Sequence, residues 1–187
     1  VKDMEGGIGQ DKNQKVKRLS LWNPVIQSAS ESYYYRAVYN SWINNDFQIN
    51  PGSGLFLEHS GKANVFDWTI VGKDEKINKS FFCNGDSSKS NVNWIALPYS
   101  GMYKKASDIV KDIEGGMGKN TNQRIKRVSL WNPVIQSASE SYYYRAAYNN
   151  WIGEDFDVEP GDGVFIELSC NNLLFNWKPA LIIEPNE

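Results

Sequence analysis

The chain has 187 residues, 41% hydrophobic and 13% aromatic, with 20 lysines and arginines against 22 aspartates and glutamates. A formal net charge of −2 with dispersed basic residues disfavours a nucleic-acid partner, because no basic block stands ready to neutralise phosphates. No apolar run reaches transmembrane length, so no membrane insertion is expected, and the wealth of aromatic, asparagine and serine residues favours sheets and turns over helical bundles.

Read from its start, the chain repeats itself. Residues 1–68 return, without a gap, as 110–177, and residues 20–37 (SLWNPVIQSASESYYYRA) recur letter for letter at 129–146. A period of about 110 residues is the size of a whole domain, not of a solenoid repeat. The expected division is a first module at 1–71, a linker at 72–76 and a second, complete module at 77–187. Residues 1–5 match only the last helical turn of the second copy, at 110–114. The first copy is therefore expected to lack its opening strand and most of its helix, which exposes an open sheet edge. Three readings account for this: the chain is a fragment of a longer protein, another chain donates the strand, or the first module does without it and draws on part of 70–83.

Residues 71–91 form a polar connector, within which 77–83 (INKSFFC) reads as a short strand, assigned as the hairpin partner of 93–99 (NWIALPY). A helix is expected over 102–114, with Ser107 as N-cap, Asp108 in the first turn and Ile109, Val110 and Ile113 on one stripe. Gly115-Gly116 would stop it. The period then switches to two. Residues 124–130 alternate with one slip and break at Trp131-Asn132-Pro133, and the tyrosines of 141–148 mark a strand. Residues 155–159 read as another strand, turning at Pro160-Gly161-Asp162-Gly163 into its partner 164–168, and 173–177 and 181–183 close the module. The expected fold class is mainly β (α+β): two homologous antiparallel β-sandwich or barrel-like modules, each with one short helix.

The order NWIALPY, a short helix ending in Gly-Gly, LWNP, SYYYR, DFDVEPGDGVFI and a closing tryptophan resembles a tandem β-rich module of prokaryotic secreted and cell-surface proteins. The resemblance covers 93–177 and, without its start, 1–68. It implies an extracellular or cell-surface location and an appended, non-catalytic role. The resemblance brings no catalytic or ligand residues with it, and the expected partners are a protein or a polysaccharide at the cell surface.

Chemistry-bearing residues are few. His59 is the single histidine and its counterpart is Leu168, so a triad or zinc site lacks a partnered imidazole and no enzyme is expected. Asp155, Asp157 and Glu159 alternate, with Asp162 in the following turn, and could offer oxygen ligands to calcium. The first copy has Asp46, Gln48, Asn50 and Ser53 there, which favours a solvated strand face and no cofactor. The glycines of EGGIG and EGGMG follow a helix, whereas a phosphate cradle must precede one. Cys83 and Cys170 occupy non-equivalent positions and read as free thiols, with a mutual bridge as the alternative. The aromatics are the most informative class. Trp22, Tyr34 and Trp42 recur as Trp131, Tyr143 and Trp151, and are the candidate ligand-binding residues. Exposed, they would form a surface for sugar stacking or protein contact; otherwise they are core. The expected function is protein interaction or spacing, with carbohydrate binding and self-association by strand exchange as alternatives.

Overall fold

The computed structural model describes residues 16–36, 38–39, 41–44, 46–59, 79–81, 91–98, 101–114, 125–132, 134–169 and 175–179. Residues 1–5, the linker 72–76, Cys83, Gly115-Gly116, Cys170 and 181–183, all read in the sequence, lie outside them. The protein is mainly β. A four-stranded antiparallel sheet has the order β3-β2-β1-β4, built from β1 (Val16–Asn23), β2 (Ser28–Arg36), β3 (Ser41–Ile43) and β4 (Leu55–His59). A five-stranded antiparallel sheet has the order β6-β10-β7-β8-β9, built from β6 (Val92–Ala96), β7 (Ile125–Asn132), β8 (Ser137–Arg145), β9 (Asn150–Gly153) and β10 (Gly163–Leu168). The described residues contain one α-helix, α1 (Ala106–Glu114), and a further strand pair, β5 (Lys79–Phe81) with β11 (Phe175–Trp177).

The two sheets pair in the same register. Leu19 faces Tyr33 and Leu57, as Val128 faces Tyr142 and Ile166. In each central strand two charged residues follow the first apolar one (Lys17-Arg18, Lys126-Arg127), and the register shifts there against β4 and β10 respectively. This bulge is the slip in the alternation. Two half-buried serine pairs, Ser20–Ser32 and Ser129–Ser141, each share a hydroxyl hydrogen bond of 2.8 Å across the ladder. The Trp-Asn-Pro break is an asparagine-led turn. Asn23 Oδ1 accepts the Val25 N–H at 2.9 Å and Asn132 Oδ1 that of Val134 at 2.8 Å. Each turn ends on a glutamine in the left-handed region, Gln27 at φ 54° and Gln136 at φ 53°.

The main core belongs to the second sheet. Ile109, Val110 and Ile113 of α1 are buried against Ile125, Val128, Val164 and Ile166. Each such side chain contributes about 1.5–3 kcal/mol by leaving water. Asp112 ties the helix outward, accepting hydrogen bonds from Tyr103 Oη at 2.7 Å and Trp177 Nε1 at 2.6 Å.

Three expectations are corrected. Residues 77–83 were expected beside 93–99, but β5 pairs with β11 and β6 pairs with β10. Phe81 is fully buried with its ring 5.8 Å from that of Trp177, so completing the helix-side core outweighs proximity along the chain. The helix starts at Ala106, not 102, and Ser107 is not its cap. Asp108 Oδ2 accepts the Lys104 and Lys105 N–H groups, and Asp155 Oδ1 reaches in to accept that of Ser107 at 2.8 Å. Residues 155–159 form no named strand. They leave the sheet to meet the lead-in to α1, where Ala106 N–H donates to Phe156 O and Val158 N–H to Lys104 O, both at 2.9 Å. The turn at Pro160–Gly163 does form, with Asp162 N–H donating to Glu159 O at 3.1 Å.

Candidate functional site

The two sheets meet at an aromatic seam built around Trp94 of β6. Its ring lies 4.4 Å from Phe165 and 5.7 Å from Trp131, and it meets the Phe56 ring of the first sheet edge-on. Trp22 joins from the first sheet, 5.8 Å from Phe56. Trp22 and Phe56 hold the sequence positions of Trp131 and Phe165, so the seam collects both members of each pair plus the single Trp94.

Backbone recognition locks the seam. Trp22 Nε1 donates to Val92 O at 3.1 Å. The Gln27 carboxamide takes both polar groups of the same residue: its Nε2 donates to Val92 O at 3.0 Å and its Oε1 accepts Val92 N–H at 2.7 Å. A side-chain amide thus does for the outer side of β6 what a neighbouring strand would do. The first sheet approaches closely enough that Ser53 forms a β-bridge with Ile95. A Cβ on Gly54 would fall 2.6 Å from Trp94 O, so this approach requires glycine.

Two grooves flank the seam and share part of their lining by sequence position; Trp131 borders both, and Trp94 borders the larger. The smaller, about 330 Å³, runs past Arg127, Ser129, Ala138, Phe165 and Glu167, together with Trp22, Gln27 and the Val92 that they hold. The larger, about 590 Å³, runs past Arg18, Ser20, Ala29, Phe56 and Glu58, together with Trp131 and Gln136. These seven residues stand, one for one, at the sequence positions of the first seven.

Each groove holds a glutamate paired with the cations of the neighbouring central strand. Burial pushes the Glu167 carboxyl upward, but hydrogen bonds from Lys126 Nζ at 2.9 Å and Arg127 Nε at 2.8 Å outweigh it and hold the group below the usual carboxylate range. The Lys17 Nζ hydrogen bond at 2.6 Å lowers Glu58 likewise, against a smaller cost of burial, and Arg18 adds to it.

Of the six aromatic candidates, Trp22 and Trp131 enter the seam. The other four stay on their own sheets. Tyr34 lies under the Arg18 and Arg36 guanidiniums, 5.9 and 5.8 Å from its ring centre, and Tyr143 borders a small concavity with Lys126, Tyr144 and Glu167. Trp42 stacks on Tyr33 at 5.0 Å, as the buried Trp151 does on Tyr142 at 5.1 Å. The acidic candidates do not converge. Asp155 caps α1, Asp157 pairs with Lys105 at 3.0 Å, Asp162 accepts the Glu159 N–H, and Glu159 is exposed. Among the described residues no three histidine, cysteine or acidic side chains are placed to hold a metal ion. His59 is exposed at the end of β4, facing Val16 in register.

The sequence reading did not single out Gln27, Gly54, Phe56 or Trp94 as site residues. For Gln27 the signal was its place among the polar positions of the stretch repeated letter for letter. Comparison with models of protein families, with curated proteins and with solved structures finds no match to this chain.

Proposed function

We propose that the chain carries two copies of one non-catalytic β module, sandwich-like in build, whose role is protein interaction and spacing outside the cell or at its surface. One observation carries this reading: Trp22 and Gln27 hold the Val92 backbone, across a separation of 65 residues or more. Such a grip reads peptide groups and not particular side chains, which suits a contact repeated between modules of varied sequence. Both gripping residues belong to the stretch repeated at 129–146, so a second device of the same composition is present. The likeness to tandem modules of secreted and surface proteins supports the location.

The test is a Trp22→Phe, Gln27→Ala variant of the whole chain, followed by residual dipolar couplings for each sheet. The two sheets should lose their fixed mutual orientation while each keeps its own amide protection. An unchanged orientation removes the reading. Glycan-array binding that depends on Tyr34, Trp42, Tyr143 or Trp151 would replace it with carbohydrate recognition.

A further inference from the structure

In the second module a segment is seated along 155–158. The lead-in to α1 lies antiparallel there, joined by the bridge between Lys105 and Asp157. Ala106 N–H donates to Phe156 O and Val158 N–H to Lys104 O, both at 2.9 Å, and Asp155 Oδ1 accepts the Ser107 N–H at 2.8 Å. Asp46, Phe47, Gln48 and Ile49 hold the same sequence positions in the first module. Among the described residues no strand or bridge pairs with them, and the Asp46 carboxylate has no partner. Ile49 is 50% exposed against 6% for Val158. A concavity of about 640 Å³ borders this segment, lined by Asp46, Phe47 and Gln48 with Leu21 and Ser32. Unpaired backbone beside an exposed apolar residue is a template for an added segment.

We propose that residues 46–49 are a docking edge for the helix-entry segment of another polypeptide, a short extended stretch of the Tyr-x-x-Ala-Ser type and the first helical turn after it. The seated segment of the second module sets the register. The incoming chain runs antiparallel to 46–49. Its alanine N–H donates to Phe47 O, the carbonyl two places earlier accepts the Ile49 N–H, and the N–H after the alanine goes to the Asp46 carboxylate. That carboxylate is also the charge match, since it suits the positive end of a helix. The tyrosine and alanine cover Phe47 and Ile49, as Tyr103 and Ala106 share one core with Phe156 and Val158. Gln48 stands in place of Asp157, which holds Lys105 at 3.0 Å, so the residue before the alanine needs no charge. Val16 and Leu19, at the positions of Ile125 and Val128 that α1 packs against, are buried already, so the edge takes the entry of a helix and not its whole length. The proposal rests on the reading of the chain as an interaction module and uses none of the residues that grip Val92.

The probe is a synthetic peptide of residues 101–110 (GMYKKASDIV) with blocked ends, titrated into the intact 187-residue chain and followed by amide spectra. Saturable one-to-one binding is expected, with the largest shifts at Phe47, Gln48 and Ile49. Ala106→Pro in the peptide removes the N–H that pairs with Phe47 O and should abolish binding. Asp46→Ala in the chain should weaken binding about 5-fold, the worth of one helix cap. Asp46 is exposed, so the circular dichroism of this variant should match that of the parent. Three results overturn the proposal: no shifts at millimolar peptide, shifts at Phe156 and Val158 in place of Phe47 and Ile49 (the peptide then displaces the chain's own lead-in), or binding that either substitution leaves unchanged. None of these results touches the seam, so the dipolar-coupling test on Trp22 and Gln27 still decides the module-contact reading by itself.

Discussion

β4 and β10 are the same strand in two settings. Each lies antiparallel to its central strand in one register, with Leu57 opposite Leu19 and Ile166 opposite Val128. Their surroundings then diverge. β10 has β6 on its far side, and the core of its sheet includes α1. β4 has neither among the described residues. The side chain of Glu58 is accordingly 42% exposed and that of Glu167 9%. Strands at equivalent positions therefore acquire unequal burial, because burial belongs to the layers packed around a strand more than to its own sequence.

The sharpest break in that comparison comes from truncating the paired apolar residues. Ile166→Ala should cost about 2–5 kcal/mol, the range for a large side chain removed from a closed core. Leu57→Ala should cost about 1 kcal/mol, since much of its surface already meets water. Urea unfolding gives the two values, and amide exchange shows which sheet opens. Equal costs would mean that the side of β4 is covered as well as that of β10.

The acidic pair tests the same contrast through charge. Glu167→Gln should destabilise by about 1.5–3 kcal/mol, because it weakens hydrogen bonds to two cations in a desolvated place. Glu58→Gln should cost about 0–1 kcal/mol, as exposed ion pairs do. The pH dependence has a definite sign. The folded-state pKa of Glu167 is depressed, so its contribution is fully present above the ordinary glutamate value near ~4.3 and is lost as pH falls through the folded value. The gap between wild type and Glu167→Gln should therefore close in acid and persist at neutral pH.

Local pattern carried the sequence reading far in some places and not in others. The bulge at Lys17 and Lys126 was visible as a slip in alternation, because two charges in a row cannot both face the core. The tyrosine strand was visible as well, and its period of two sets Tyr33 and Tyr35 against Trp42 and Tyr34 with Arg18 and Arg36. The β5–β11 pair was not visible, because its partners lie far apart in sequence and each is short. Nor was the seam. Gln27 looks like any turn residue, and only the arrival of Val92 from a distant strand gives it a task. Residues 155–159 misled for a related reason. Their alternation is that of a strand, but their acceptors serve the start of α1.

That last segment supplies the smallest and most local test of the comparison. Asp155 Oδ1 accepts the Ser107 N–H, one of the orphan donors of the first helical turn, and a carboxylate also suits the positive end of the helix. Losing such a cap costs about 1 kcal/mol. Asp46 holds the same sequence position in the first sheet and is exposed, with no described helix to serve. Asp155→Ala should lower stability by about 1 kcal/mol and raise amide exchange selectively in α1, while Asp46→Ala should stay within about 0.5 kcal/mol of the parent. If both substitutions cost the same, the aspartate serves a turn that the two copies share, and its contact with the helix adds nothing. A cost confined to Asp155 would show one residue type given unequal work by the element next to it, as Ile166 and Leu57 are by the pairing of β6 with β10 and not with β4.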